Sequence, residues 1–295
     1  MSEIVAILIS TLVLGSIYGL VAIGMTLIYG TLRILDMSQG SMVMIGSYVA
    51  WGILVVANSN PVLAIVVAFV ATFVLGTFTQ LISVQPLMPR RHEVDFEMVT
   101  FITTFAVAIV FANLALQIFG PFQKNVPPVI GGGIRILGQD LTFQSLAMAV
   151  TSIVLMLALG LFLARTRWGL AIRAVAQDLD AARLAGVPVG KLYPLTMGLA
   201  SALAGIGGVF LGGLFFASPT AGDLPLLQAL IVVIFGGLGS LSGTLYAAYA
   251  IGFIQSVAIV TIGTTWTLPI LYAVILLVLI FRPYGLKGNP SEARL

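Results

Sequence analysis

Charge is what this chain has least of. Only 8% of its 295 residues are Asp, Glu, Lys or Arg, while 60% are hydrophobic. An average soluble domain is about 25% charged. The scarcity excludes a soluble domain and makes the chain an integral membrane protein. Cysteine is absent, which excludes disulfides, thiolate metal sites and a cysteine nucleophile. There is one histidine, His92, beside Arg90, Arg91 and Glu93. It reads as a solvated loop residue, and one histidine cannot build a His-rich site, so no metal is expected. The only Gly-Lys pair, Gly190-Lys191, precedes Leu192 and lacks the upstream glycine of a phosphate-binding loop. The chain therefore hydrolyses no ATP by that route, and no cofactor of its own is expected. No HExxH occurs, and no serine has a His/Asp set, so no catalytic residues and no enzyme are expected. The net charge of +3 offers no basic face for nucleic acid. Glu3 is the early charge and no Lys or Arg precedes Arg33. That is not a secretory signal. It favours an outside amino terminus and a first helix that is retained.

What is present is a series of uncharged tracts. A transmembrane barrel would show alternating segments of about ten residues, and none is seen. The fold class expected is all-α: a polytopic integral membrane protein with about eight full transmembrane helices plus a short or broken helix, arranged as inverted repeats. Spans are expected at 4–29, 41–57, 61–84, 98–119 and 141–164, with Pro194 opening a sixth. Residues 85–97 carry Arg90 and Arg91, which place that loop inside. Residues 120–140 are rich in Gly and Pro, fall outside, and permit a hairpin around Gly138. They offer a surface to an extracytoplasmic partner, or act as a plain connector. Gly15 and Gly19, then Ala200, Ala204, Gly208 and Gly212, then Gly239, Gly243 and Ala247, form small-residue stripes for close helix packing. Residues 224–281 are uncharged and must cross an odd number of times to reach the basic tail of Arg282, Lys287 and Arg294 inside. The run 224–235 ends at Gly236-Gly237 and reaches about 18 Å, short of the roughly 30 Å core. It reads as a half-helix. Trp266 marks the outer interface before a last span near 268–281.

Residues 165–193 form a polar island with five of the thirteen Lys and Arg residues. So basic a loop between long apolar tracts sits in water on the cytoplasmic side. Ile172, Val175, Leu179 and Ala182 fall at helical spacing, with Arg173, Asp178, Asp180 and Arg183 off the stripe. The pattern predicts one short amphipathic helix, stopped by Gly186 and Pro188. Such a helix fits a groove on a soluble partner. The alternative is a solvated loop lying on the membrane.

Each half of the chain holds one interrupted place. The first is 30–40, with Asp36, Ser38, Gln39 and Gly40. The second is Asp223 and the short run after it. Paired broken segments point to a transport pathway, and these five residues are its candidate lining. Arg33 is either a helical-turn partner of Asp36 or an interface charge.

The island also carries a resemblance. Asp180-Ala181-Ala182, with Gly186 four residues on, resembles the EAA loop of ABC importer permeases, with Asp in place of Glu. A longer likeness runs through GSIYGLVAIGMTLIYGTLRILDMSQGSMVMIGSYVA, RAVAQDLDAARLAGV, ALAGIGGVFLGG and FGGLGSLSGTL. Together these resemble the branched-chain amino acid permeases of the LivH/LivM type, with LivH the nearer. The family's Asn-Phe-Ala-His-Gly stretch is here Leu35 to Gly40, near the presumed pathway. The resemblance implies a single transmembrane permease domain over 1–295 in the cytoplasmic (inner) membrane, with a coupling loop at 165–193. It implies a second, LivM-like permease, two cytoplasmic ATPase subunits that bind the ATP, an extracytoplasmic binding protein and a small-molecule substrate. Asp180, Ala181, Ala182 and Gly186 would make the coupling contact, flanked by Arg173 and Asp178. The substrate is open between branched-chain or other amino acids, urea, amides and aromatic acids. An autonomous secondary transporter or channel, and a structural subunit, are the competing classes.

Overall fold

The computed structural model describes residues 2–90, 96–136, 139–282 and 285–287. His92, Arg91 and Arg294 lie outside them. Eleven helices are described in order. They are α1 (Ser2–Leu32), α2 (Gln39–Trp51), α3 (Pro61–Thr79), α4 (Phe96–Phe119), α5 (Phe143–Arg165), α6 (Arg167–Gln177), α7 (Leu179–Leu184), α8 (Val189–Leu214), α9 (Asp223–Gly236), α10 (Leu241–Ile262) and α11 (Thr264–Phe281). Among the described residues, seven helices are long and apolar enough to cross a membrane, and two shorter apolar ones begin at Asp223 and Thr264. The nine apolar segments keep the order read from the sequence. The last begins at Thr264, ahead of the expected start near 268, and carries Pro269 inside it. The expected hairpin is β1 (Gly133–Ile136) paired antiparallel with β2 (Gln139–Thr142).

Small residues decide how these helices meet. Gly24 of α1 sits on the backbone of Ala200 in α8, and Gly207 of α8 lies against Leu20 and Val21. The two helices therefore run antiparallel through the centre. Gly15 packs on Tyr249 of α10, while Gly198 packs on Phe73 and Thr77 of α3. These contacts are related by an inverted repeat. α1 packs on α10 as α8 packs on α3, and α9 packs on α1 as α2 packs on α8. Without a hydrophobic force between helices in lipid, such close backbone approach supplies the packing energy. The small-residue stripes read from the sequence are those contacts. α5, α6 and α7 link the two halves.

Pro194 does not open the sixth span. α8 begins at Val189, with Pro194 inside it. Val189, Leu192 and Tyr193 are all buried, so packing of this first turn and a half holds the helix across the proline. The carbonyl of Pro194 accepts from Thr77 Oγ1 at 3.3 Å.

Candidate functional site

Each half contains a helix that starts inside the bundle rather than at its surface. α1 ends at Leu32, yet α2 does not begin at that level. Gln39, the first residue of α2, reaches Ser201 with Nε2 to Oγ at 3.4 Å, beside Ala200, which faces Gly24. Gly24 lies eight residues before Leu32, so residues 33–38 climb back about 12 Å. In the second half residues 215–222 do the same after α8. α9 starts where Gly222 meets Gly40 and ends where Gly239 meets Gly30. A Cβ on Gly222 would collide with the carbonyl of Gly40, and a Cβ on Gly40 would stand 3.0 Å from the carbonyl oxygen of Gly222. Two half-helices thus meet amino end to amino end at mid-depth. Neither N-cap, Ser38 or Gly222, makes a side-chain cap. Uncapped helix amino termini favour negative charge.

A cleft of about 400 Å³ opens at this junction. Gly40, Ser41 and Met44 line one wall, Phe105, Ile109 and Asn113 of α4 a second, and Gly222, Asp223 and Leu226 the third. Two of the five expected pathway residues, Gly40 and Asp223, face it. The other three do not line it. Asp36, Ser38 and Gln39 are fully buried and bond to one another. Asp36 Oδ1 accepts from Ser38 N at 2.9 Å and Ser38 Oγ at 2.7 Å, and Oδ2 accepts from Gln39 Nε2 at 3.1 Å. A carboxylate at that depth is costly unless satisfied, and these donors satisfy it. The turn is also pinned to α4, since Met37 N donates to Thr104 Oγ1 at 3.3 Å. Arg33 is aimed at the island instead, with Nη2 donating to Ala176 O at 3.4 Å.

The island holds two helices, not the one expected. Asp178 adopts extended backbone between α6 and α7, and its Oδ1 accepts from Asp180 N at 2.9 Å and Ala181 N at 3.0 Å. It caps α7. The periodic stripe survived the break because both helices bury one face. Ile172, Val175 and Ala182 are buried. Ala182 therefore packs on its own bundle, while Ala181 and Arg173 are exposed. Asp180 pairs with Arg183 at 3.6 Å on the surface. α7 closes on Gly186 at φ +80. Gly186 N donates to Arg183 O and Val187 N to Ala182 O, both at 3.0 Å. Those two bonds are a Schellman closure, which needs the left-handed residue that glycine accepts. Leu184 is 91% exposed at the tip. The sequence reading passed over it. The signal was an apolar residue off the buried stripe.

On the opposite face, Lys124 and Ala217 exchange backbone hydrogen bonds at 2.8 and 3.0 Å. Buried Gln144 accepts from Val129 N at 2.8 Å and donates to Phe210 O at 3.1 Å. The segment before the hairpin is thus held against α5 and α8.

Residues 7–280 match the family model described as branched-chain amino acid transport system / permease component. The chain is 26% identical to the high-affinity branched-chain amino acid transport system permease protein BraD of Pseudomonas aeruginosa, over 96% of this chain and 95% of that one. It is 27% identical to LivH of Escherichia coli K12, over 94% and 93%. It is 28% identical to the probable branched-chain amino acid transport permease protein LivH of Methanocaldococcus jannaschii, over 91% and 88%. No solved structure matches it. With the match running over nearly the whole of this multi-pass chain, it belongs to the family of branched-chain amino acid transport system permease components.

Proposed function

We propose that this chain is the membrane-spanning subunit of an ABC importer for branched-chain or related amino acids. It works in the cytoplasmic membrane beside a second permease. Two ATPases dock on the island from the cytoplasm, and an extracytoplasmic binding protein delivers the ligand. The amino terminus is outside and the carboxyl terminus inside. The observation that carries the reading is the pair of half-helices meeting at mid-depth, with a cleft at their amino ends. Broken helices in corresponding halves are the mark of a transport pathway.

The cleft suits a zwitterion with an apolar side chain. The carboxylate lies toward the uncapped end of α2. The ammonium group lies toward Asp223. The side chain lies on Met44, Phe105, Ile109 and Leu226. Asp36, Ser38 and Gln39 hold the turn that aims α2, and act on the substrate through it. On the island, Asp180 and Ala181 face outward for the ATPase contact, Arg173 flanks them from the pocket it lines beside Arg33, Asp178 caps the helix, Ala182 anchors it, and Gly186 sets its exit.

The test is Gly186→Val. A Cβ at Gly186 meets nothing within 4 Å, so no core is disturbed. The left-handed backbone costs valine about 1–2 kcal/mol, paid in the closing turn alone. The complex purified through this chain should contain ATPases and a second permease. In proteoliposomes the variant should lose most ligand-driven uptake, while the folded complex is recovered in normal amount. Unaltered coupling, or purification of the chain without an ATPase, would refute the assignment.

A further inference from the structure

Two cavities adjoin where α1, α5 and α10 meet, at the end of the bundle that carries the island. The larger is a groove of about 480 Å³ with apolar walls, among them Ile23, Met156, Leu157, Gly160 and Leu245. Leu241 closes its end and also lines the second cavity, a small pocket of about 130 Å³. Arg33 and Arg173 both line that pocket. A third cation stands nearby: Lys287 Nζ lies 4.5 Å from the ring centroid of Tyr246, and Tyr246 forms part of the groove.

We propose that these two cavities form one site for an anionic phospholipid, with an acyl chain in the groove and the phosphate in the arginine pocket. The dimensions favour a lipid chain. From Leu241 to Tyr249 the groove follows α10 for about 12 Å, most of one leaflet's hydrocarbon depth of about 15 Å. The charges favour an anion. Arg33 and Arg173 both line the pocket, and a guanidinium carries five N–H donors in a fork that matches phosphate, so an anionic headgroup is held there beside the bond from Arg33 to Ala176 O. Basic pockets between helices at this depth are suited to acidic headgroups. Arg33 follows the last residue of α1 and Arg173 sits on α6, so a phosphate between them ties the bundle to the island.

The test uses the complex purified through this chain in mild detergent. It is exposed to equal amounts of phosphatidylglycerol and phosphatidylcholine and read by native mass spectrometry. Retained phosphatidylglycerol should exceed phosphatidylcholine about tenfold. The double variant Arg33→Gln/Arg173→Gln should erase that preference. Gly160→Leu gives a second handle. A Cβ there meets nothing within 4 Å, and leucine is a good helix former, so the variant folds with its groove filled. It should lose both lipid adducts, with both arginines intact. Equal retention of the two lipids by the unaltered protein, or a phosphatidylglycerol adduct that survives Gly160→Leu, would overturn the proposal. A groove occupied by a helix of another subunit would show as that subunit leaving when Gly160 is replaced, and would equally overturn it.

Discussion

Gly222→Ala should damage the half-helix junction, and Gly40→Ala should not, although the two glycines face each other. The difference lies in what each new methyl group meets. At Gly222 the added carbon collides with the carbonyl group of Gly40 and stands 3.0 Å from its Cα. All three atoms are backbone, so no rotamer relieves the overlap and α2 and α9 must separate. Gly222 is at φ −88, ψ −13, which alanine adopts freely, so the whole cost is steric. Overpacking costs about 1–3 kcal/mol, and a clash with rigid backbone belongs at the upper end. The reduced freedom of the unfolded chain returns about 0.4–1 kcal/mol. The net loss is about 2 kcal/mol. At Gly40 the methyl group meets Gly222 O at 3.0 Å and Leu226 Cβ and Cδ2 at 3.1 and 3.2 Å. A few tenths of an ångström suffice for Gly222 O and Leu226 Cβ, and Leu226 Cδ2 can turn away. Gly40 lies within α2, where alanine gains about 0.5–1 kcal/mol, so the net change is near zero. Thermal melts in detergent, followed by size-exclusion chromatography, report the difference. Gly222→Ala should lower the apparent Tm by about 4–8 °C, and Gly40→Ala should stay within about 2 °C. Equal melts, or the reverse order, would mean that the half-helices do not abut as described.

Asp36→Ala removes the acceptor for three buried donors, Ser38 N, Ser38 Oγ and Gln39 Nε2. Gln39 Nε2 keeps Ser201 Oγ, so at about 1–3 kcal/mol for each of the two Ser38 donors left unsatisfied, it should cost at least about 2 kcal/mol. Recovery of folded protein should fall sharply in the same melt assay, and Asp36→Asn, which keeps one carbonyl acceptor, should fall less. Leu184→Glu removes an apolar side chain that is 91% exposed, so the melting temperature of the isolated chain should hold within about 1 °C. Leu184 ends α7, the helix proposed to meet the ATPases, so they should wash off the complex at least tenfold faster, as read by surface-immobilised dissociation.

The order and nature of the apolar segments were legible because hydrophobic length is a strong signal. So were the short run of α9 and the stop at Gly186, where glycine is written for a backbone only it accepts cheaply. The re-entry of residues 33–38 and 215–222 was not legible. No local property says that a turn climbs back into the bundle. That path is fixed by pairs far apart in sequence, Gly40 with Gly222 and Gln39 with Ser201. For the same reason Asp36, Ser38 and Gln39 read as lining residues when they are buried. The split of the island had a signal, Asp178 ahead of Asp180 and Ala181, a capping residue inside an apparently continuous stripe. The inverted repeat was also written faintly, since the same spacing separates Gly15 from Gly198 and Gly24 from Gly207.

The halves are alike in path and unlike in filling. Away from the island, α1, α9, α10 and α11 leave a cavity of about 420 Å³ lined by Tyr18, Gln228 and Gln255. The equivalent helices on the island side are α8, α2, α3 and α4. There Gly76 lies against Ser201, and the Asp36 turn fills the space. The bonds that tie the turn to α8 and α4 are the long ones, Gln39 to Ser201 at 3.4 Å and Met37 to Thr104 at 3.3 Å. The bonds within the turn are shorter, at 2.7 to 3.1 Å. Opening toward the island would thus release the turn as a unit with Asp36 still satisfied. The buried carboxylate holds the turn together through three bonds of its own, independent of its ties to α4 and α8.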